Sequence, residues 1–546
     1  MFAGAAFAMG TKPSCCRNNT AVVLYKPYSI EPGTLSSWSL LSDTALRRLE
    51  AVHSSGQPDM EVMPGAIVFC DISGFTKFIE ASNNAEESTT TINTLLSMVV
   101  RLTYHCGGDV LKFAGDAVLV LFSGGGELED ALAYRAVAFS LKLLEFVAQY
   151  NQTELQMHLG VGVGNVSSLH VGGLANRWEH VVAGPVLAQI RCVDLANSGE
   201  VCVSYEAWEH IRDDVLCREV GPGGGYFVVS RLHVAEHLSS HVIKDITFEE
   251  LGGRTSTMTR DQATLAANYV PKQIVSLLNS GHTEFICEFR RVTVLFINLA
   301  NLEINHEGSL DRLNDVVNII FTQLQHFEGT LRQLIIDDKG TVAILCFGLR
   351  PAHPDDPVRA VHTALNIQRE IRSSGSGIVP SIGVTTGRTY CALVGNTTRA
   401  EYACVGSSVN MSARLMGKAK GRVLCDEHTY KPCIGRIAFQ EPEHMMLKGF
   451  TTAQRVHCPI GAATTTAPRH GAAPHSSRMW GREQEFEKVR MWIAATARTG
   501  YGGMAVIEAD SGMGKSLMLH RLVKEQRGAR VVYVVPSAIQ SISPYV

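Results

Sequence analysis

The stretch GGDVLKFAGDAVLVLF, residues 107–122, decides the fold, because two apolar runs around a central Gly-Asp pair are typical of two strands joined by a tight turn. The apolar run AIVFCDISGF, residues 66–75, precedes it and predicts a buried strand that ends in a turn at Asp71. A helix over about 128–150 and a strand in LQMHLGVGVGNV, residues 155–166, are predicted to follow. This order of elements predicts an α+β domain.

The same order of elements returns later in the chain. VTVLFINLANLE, residues 292–303, corresponds to the first strand, and LRQLIIDDKGTVAILCFG, residues 331–348, corresponds to the hairpin. Asp338 follows Asp116 by 222 positions, so the spacing supports an internal repeat. We therefore predict two tandem domains of one kind.

Composition marks the remaining boundaries. The segment GAATTTAPRHGAAPHSS, residues 461–477, is rich in Ala, Thr, Pro and Gly and is typical of a linker. The predicted divisions are an N-terminal segment 1–59, a first domain 60–215, a connecting segment 216–284, a second domain 285–457, a linker 458–477 and a nucleoside-triphosphatase segment 478–546.

That last segment contains ADSGMGKS, residues 509–516, which matches a P-loop between a strand and a helix, although Ala509 replaces the usual first glycine. We expect backbone N–H groups to hold phosphates, Lys515 to reach the β- and γ-phosphates and Ser516 to hold Mg²⁺. The predicted phosphate-binding residues are Gly512, Gly514, Lys515 and Ser516. Too few residues follow for a complete triphosphatase core, so we expect a truncated domain.

Length and charge exclude several classes of protein. At about 150 residues per domain, 546 residues correspond to about three or four domains. The net charge of -3 and the lack of a basic block give no case for a nucleic-acid binder, and no apolar run reaches the roughly 18 residues of a membrane span. The 14 cysteines include no CxxC pair, which predicts a reduced cytoplasmic protein. Lipidation at Cys15 or Cys16 stays open.

The first domain carries acidic residues at two strand ends. Asp71 ends one strand and Asp116 lies in the hairpin turn, so together they are suited to hold Mg²⁺, which prefers oxygen ligands and substrate phosphates. In the second domain Asn298 stands in place of Asp71. A helix start after Asp71 offers backbone N–H groups to phosphate oxygens. Its residues are Gly74, Phe75 and Thr76.

The second domain carries the complementary groups. Gly406 is followed by Asn410 and, four residues on, by Arg414, which share one face of a helix. An amide and a guanidinium on one face suit a ribose oxygen and a phosphate. The corresponding first-domain residues, Ala188 and Cys192, do neither. Head-to-tail pairing of the domains would therefore build one complete nucleotide site and one incomplete site.

The motifs FCDISGFT, LKFAGDA and EYACVGSSVNMSARLM, in this order and before a P-loop, resemble the class III nucleotidyl cyclases with fused C1 and C2 domains, and in particular the bicarbonate-responsive soluble adenylyl cyclases. The resemblance covers about residues 60–546. It implies two tandem ferredoxin-like domains that form a pseudo-symmetric pair within one monomeric chain.

The resemblance also implies a reaction, the conversion of ATP into 3′,5′-cyclic AMP and pyrophosphate. Two Mg²⁺ ions, or Mn²⁺ in their place, would be held by Asp71, the Ile72 carbonyl and Asp116 and would activate the ribose 3′-hydroxyl for in-line attack. Arg414 would stabilise charge on the α-phosphate and Asn410 would orient the ribose.

Several positions depart from the family pattern. The family's adenine-reading Lys falls on Gln333, its polar partner falls on Ala403, and a Lys that holds the triphosphate falls on His158. Asp338 and Cys404 complete the implied substrate contacts. Two alternatives therefore stay open, a weakly active pseudo-cyclase that regulates the attached triphosphatase and a guanylyl cyclase. The Glu and Cys that read guanine in the family are absent, which favours adenine.

The incomplete site has basic residues of its own. Lys112 and Arg191, with the backbone near Val182, fall on the family's bicarbonate-binding positions, and two cations suit a small planar anion. The resemblance implies that anion capture frees Arg191 from Asp116.

Overall fold

The computed structural model contains the two repeats and part of the C-terminal segment. It describes residues 36–75, 78–79, 85–115, 117–124, 126–150, 155–221, 224–233, 259–279, 287–302, 304, 308–337, 340–349, 352–448, 450–463, 483–499, 507, 518–519, 521–522 and 525.

The first half is built on one mixed sheet. In chain order its elements are α1 (Asp43–Leu46), α2 (Leu49–Ser55), β1 (Asp59–Ser73), α3 (Ala85–His105), β2 (Asp109–Ala114), β3 (Ala117–Phe122), α4 (Glu129–Tyr150), β4 (Gln156–Gly172), β5 (Trp178–Ala183), α5 (Val186–Gln189), β6 (Val201–Ser204), α6 (Tyr205–Glu209), β7 (Val215–Val220) and β8 (Tyr226–Leu232). The strand order is β2-β3-β1-β4-β6-β8-β7, with β5 paired to β4. The order β2-β3-β1-β4 is the ferredoxin-like arrangement. Strands β7 and β8 extend this sheet beyond residue 215.

The second half repeats the core. The connecting segment contains α7 (Arg260–Ala266) and α8 (Lys272–Asn279), and the second half contains β9 (Glu288–Ala300), α9 (Ser309–Phe327), β10 (Thr330–Asp337), β11 (Gly340–Phe347), α10 (Asp356–Ser373), β12 (Val379–Gly395), β13 (Ala400–Val405), α11 (Ser407–Ala419), β14 (Val423–Cys425), α12 (Glu427–Cys433), β15 (Ile437–Phe439), β16 (Glu443–Met445), β17 (Gln454–Val456) and β18 (Pro459–Ala462). The order β10-β11-β9-β12 matches the order β2-β3-β1-β4 of the first sheet strand for strand.

Glycines let helical segments lie directly on each sheet. A Cβ on Gly383 of β12 would come within 2.1 Å of the Ser412 carbonyl oxygen in α11. A Cβ on Gly160 of β4 would come within 2.6 Å of the Ile190 carbonyl oxygen. These close approaches explain the glycine-rich strand in the first half and set the height of α11 above the second sheet.

The two halves pack against each other through α3 and β12. The side chain of Asn93 accepts a hydrogen bond from the Gly395 N–H (3.0 Å) and donates to the Leu393 carbonyl (3.3 Å). Tyr390 is fully buried in a hydrophobic cluster that contains residues of both halves. The halves therefore share a core.

The segment before β1 is anchored to the first sheet. Asp109, at the start of β2, accepts hydrogen bonds from the Asp43 N–H (2.9 Å), the Thr44 N–H (2.7 Å) and the Thr44 hydroxyl (2.7 Å). In the part of the chain that the structure describes, no helix combines the length and the apolar character needed to cross a membrane.

Candidate functional site

Asp71 lies near the end of β1, next to the β2–β3 hairpin. It is paired with Ala117 of β3 on one side and with His158 of β4 on the other. Its carboxylate is 29% exposed, and its Oδ2 lies 3.2 Å from His158 Nε2. His158 Nδ1 lies 3.1 Å from the Ser73 hydroxyl. The imidazole thus contacts the predicted metal-binding carboxylate, and the phosphate contact expected of His158 stays a prediction.

The turn after β1 has the geometry expected of a glycine. Gly74 has a φ of +85°, a left-handed conformation that favours glycine, and its carbonyl accepts from the Phe78 N–H at 2.9 Å. Phe75 is buried in the core of the first half. The Asp71 carboxylate and the Ile72 carbonyl are hard oxygen donors, which fit Mg²⁺ or Mn²⁺. Three further predicted metal- or substrate-binding residues lie outside the described residues, namely Thr76, Asp116 and Asp338.

Helix α11 carries Asn410 and Arg414 on its outer side. Asn410 is exposed, and Arg414 is half-buried with its guanidinium 5.4 Å above the Phe450 ring. The buried Ser412 hydroxyl contacts the Gly383 carbonyl at 2.8 Å and so ties the opposite side of the helix to β12. The two side chains therefore lie on a helix whose inner side is fixed to the sheet.

The first-half segment that corresponds to α11 is a short helix followed by a 3₁₀ stretch. Helix α5 ends at Gln189, and a 3₁₀ stretch follows over residues 190–195. Cys192 is buried there, and its thiol contacts the Cys202 carbonyl at 3.1 Å. The Cys192 side chain of this segment therefore points into the domain core.

The residues predicted to contact the base lie at the interface between the halves. Gln333 follows a bulge in β10, is 2% exposed, and donates from Nε2 to the Phe113 carbonyl of β2 at 3.4 Å. Ala403 packs in the hydrophobic cluster that contains Phe113. Cys404 is buried opposite Cys391, with the two sulfur atoms 3.9 Å apart. In this arrangement the Gln333 amide contacts protein backbone.

Lys112 follows the corresponding bulge in β2, so it is the first-half equivalent of Gln333. Its Nζ donates to Glu179 Oε1 (3.3 Å), to the His180 carbonyl (3.2 Å) and, across the interface, to the Leu334 carbonyl (2.7 Å). Burial raises the pKa of the Glu179 carboxyl, and the charge of Lys112 opposes this effect.

The other two residues of the predicted bicarbonate site lie on two other elements of the first half. Val182 belongs to β5, the strand that also provides Glu179, and it packs against Val186 and Ile190. Arg191 is exposed in the 3₁₀ stretch that begins at Ile190.

Three charged residues that the motif analysis missed form a network at the same interface. Arg332 Nη1 lies 2.7 Å from Glu401 Oε1, and Arg399 Nη2 lies 3.4 Å from Glu401 Oε2. Burial alone would raise the pKa of the Glu401 carboxyl, but Arg332 and Arg399 hold the pKa below its usual value. A sequence signal existed, because Arg399 and Glu401 repeat Arg177 and Glu179 at the 222-residue spacing.

The structure describes only part of the C-terminal segment. Helix α13 (Glu483–Thr499) is described, and its Phe486 packs against Met518 and Leu522. The predicted P-loop lies outside the described residues. Its residues are Gly512, Gly514, Lys515 and Ser516.

Comparison with known proteins gives several matches. Adenylate cyclase type 10 of Oryctolagus cuniculus is 25% identical over 502 residues, which cover 85% of this chain and 31% of that protein. The Homo sapiens protein of the same name is 26% identical over 424 residues, 72% of this chain and 26% of that protein. The chain thus spans about a third or less of the length of these relatives. The crystal structure of a class III adenylyl cyclase-like ATP-binding protein from Pseudomonas aeruginosa matches 71% of this chain and 93% of that chain, with 12% identity and a TM-score of 0.47.

One family model matches the chain twice, once in each half. It describes the adenylate and guanylate cyclase catalytic domain, and it matches residues 60–222 and 285–458. Together these segments make up more than half of the 546 residues. The chain belongs to the family of adenylate and guanylate cyclase catalytic domains.

Proposed function

We propose that the chain is an adenylyl cyclase that converts ATP into 3′,5′-cyclic AMP and pyrophosphate. The relatives named adenylate cyclase type 10 match 72–85% of the chain, which favours ATP as the substrate. On this proposal residues 60–215 and 285–457 are the C1 and C2 domains of one working site, within a monomeric cytoplasmic protein.

The observation that carries the proposal is the complementary chemistry of the two halves. Asp71 lies near the end of β1, whereas Asn298 takes part in the equivalent strand β9. Asn410 and Arg414 lie on α11, whereas the equivalent first-half segment is short and turns Cys192 inward. These differences support one site with carboxylate from the first half and ribose- and phosphate-binding groups from the second.

The mechanism assigns a separate task to each side chain. Arg414 would donate to the α-phosphate and stabilise the charge that grows there, and Asn410 would hold the ribose so that its 3′-oxygen lies in line with the leaving pyrophosphate. Divalent metal ions held by Asp71, the Ile72 carbonyl and Asp116 would supply Lewis-acid charge for the triphosphate and the 3′-hydroxyl. His158 would keep the Asp71 carboxylate in position.

We further propose that bicarbonate regulates this activity through Lys112, Val182 and Arg191. Lys112 lies at the interface and donates to groups of both halves. A small planar anion that competes for its N–H donors would therefore act on contacts between the halves.

The test uses the purified chain with ATP or GTP and with Mg²⁺ or Mn²⁺, and measures cyclic AMP and cyclic GMP by mass spectrometry. We expect cyclic AMP as the main product. Cyclic GMP alone would favour the guanylyl cyclase alternative, and no product from a folded chain would favour the pseudo-cyclase.

The metal assignment is tested with Asp71→Asn, which should lower the turnover at least about 100-fold because it removes a charged metal ligand. The matched control is Asp59→Asn at the opposite end of β1, where the carboxylate pairs with Arg48 at 2.8 Å. Equal activity of the two variants would refute the assignment.

A further inference from the structure

Strand β2 lies at the edge of the first sheet, so one side of its backbone has no strand partner within that sheet. Side chains of the second half occupy this edge. Arg399 donates from Nε to the Val110 carbonyl (3.0 Å) and from Nη2 to the Leu111 carbonyl (2.8 Å). The Phe113 N–H donates to Glu401 Oε2 at 3.1 Å. The second half therefore holds this edge strand through side chains instead of a backbone ladder.

Glu401 is the central group of these contacts. Its side chain is 14% exposed and accepts from the Phe113 N–H and from Arg332 Nη1 (2.7 Å), with Arg399 Nη2 at 3.4 Å. Arg332 directly precedes Gln333 in β10, and Gln333 donates to the Phe113 carbonyl. One carboxylate thus joins β2 of the first half to β10 and β13 of the second half.

The contact lies close to Asp71 in the strand register. Phe113 is paired with Val118 and Ala114 with Ala117, and Ala117 is in turn paired with Asp71. The Phe113–Val118 pair is therefore next to the Ala114–Ala117 pair, which lies beside Asp71. A displacement of Phe113 along or away from β3 would move the end of the hairpin relative to Asp71.

We infer that Glu401 is a positioning residue for the cyclase reaction, because its carboxylate holds the Phe113 N–H and so keeps the end of the β2–β3 hairpin beside Asp71. This inference rests on the proposed function for its effect on turnover, whereas the contact itself is independent of it. Glu401 does not touch substrate in this role and acts through the hairpin backbone.

The equivalent carboxylate of the first half, Glu179, makes a different contact. Glu179 stands 222 positions before Glu401 and bonds to the Lys112 ammonium at 3.3 Å. That contact lies within the first half, so it does not hold a strand of the other half. This difference between Glu401 and Glu179 agrees with the proposed site, in which the first half carries Asp71 and the second half has Asn298 at the equivalent position.

The test compares Glu401→Gln with the matched control Glu443→Gln in the full chain. Glu443 also pairs with an arginine, Arg422 at 2.5 Å, but at a half-exposed position on β16. We expect amide hydrogen exchange of peptides that span 109–114 to rise at least about tenfold in Glu401→Gln and to stay at the wild-type rate in the control. We also expect the Mg²⁺ concentration for half-maximal cyclase activity to rise about fivefold or more, with a smaller change in the KM for ATP.

A second variant distinguishes the loss of the Phe113 contact from misfolding of the chain. Glu401→Asp keeps the charge beside Arg332 and Arg399 but withdraws the carboxylate from the Phe113 N–H by one methylene, so it should shift the Mg²⁺ dependence in the same direction. Unchanged exchange over 109–114 in both variants would overturn the inference, and so would raised exchange with an unchanged Mg²⁺ dependence. A wild-type chain without cyclase activity would instead refute the proposed function, and the exchange measurement would still decide whether Glu401 holds β2.

Discussion

Gly383 determines how close α11 lies to the second sheet, and replacing it with alanine should disturb the proposed nucleotide site. A Cβ at this position would lie 2.1 Å from the Ser412 carbonyl oxygen and 2.6 Å from the Met416 nitrogen. Both are backbone atoms of α11, so no side-chain rotation relieves the clash. The helix that carries Asn410 and Arg414 must move.

The size of the movement follows from the contact distance. Carbon and oxygen atoms do not approach below about 3 Å, so the helix must shift by about 1 Å. A misplacement of about 1 Å in catalytic groups costs roughly 100-fold in rate, and overpacking costs about 1–3 kcal/mol of stability. We therefore expect Gly383→Ala to lower the turnover of ATP about 100-fold while the chain stays folded.

The assay measures cyclic AMP formation and thermal unfolding of Gly383→Ala and of the control Gly417→Ala. Gly417 lies on the same helix, and a Cβ there would have no atom of another element within 4 Å. Alanine at Gly417 should raise stability by about 1 kcal/mol or less and leave turnover unchanged. Turnover of Gly383→Ala within twofold of the wild type, or an equal loss in Gly417→Ala, would refute the argument that the glycine positions the helix.

Two predictions concern stability. Arg399→Met removes hydrogen bonds to the Val110 and Leu111 carbonyls from a 2% exposed guanidinium, so chemical denaturation should show a loss of about 3–5 kcal/mol, and a loss below about 1 kcal/mol would contradict the role of this arginine. Burial lowers the pKa of His170 to about 4 and also lowers the pKa of His180. Between pH 6.5 and 4 these histidines are therefore protonated in the unfolded chain but not in the folded chain. The free energy of unfolding should fall with decreasing pH by up to about 1.4 kcal/mol per unit for each histidine, and His170→Phe should make this slope shallower in urea titrations from pH 7 to 4.5.

The long periodic elements of the fold follow directly from the sequence. The sequence predicts helices over about 128–150 and 357–373, and both are present, as α4 (Glu129–Tyr150) and α10 (Asp356–Ser373). The sequence also predicts one helix over 41–52, which in the structure is divided into α1 and α2. The first helix begins at Asp43 and not at Leu41, because the Ser42 hydroxyl accepts from the Ala45 N–H at 3.2 Å and forms an N-cap, which apolar periodicity does not reveal.

The orientation of polar side chains at the interface did not follow from the sequence. The family resemblance implies that Gln333 and Lys112 lie beside nucleotide or anion sites, but in the structure each also donates to a backbone carbonyl of the other half. Gln333 donates to the Phe113 carbonyl, and Lys112 donates to the Leu334 carbonyl. Because these partners are 220 and 222 positions away and are backbone atoms, no side-chain pattern encodes them.

These contacts make β2 the element through which the two proposed sites would influence each other. Lys112, from the proposed anion site, and Phe113, held by Glu401, are consecutive residues of one edge strand. Lys112 Nζ donates both to Glu179 in the first half and to the Leu334 carbonyl in the second half. An anion that binds Lys112 would weaken one of these contacts and would therefore pull on β2. The next residue of β2, Phe113, is the one that Glu401 holds. The proposed coupling therefore needs no rotation of one half against the other, because a small shift of β2 reaches the hairpin end beside Asp71. It follows that Glu401→Gln should weaken any bicarbonate response along with the Mg²⁺ affinity, whereas Glu443→Gln should leave both unchanged.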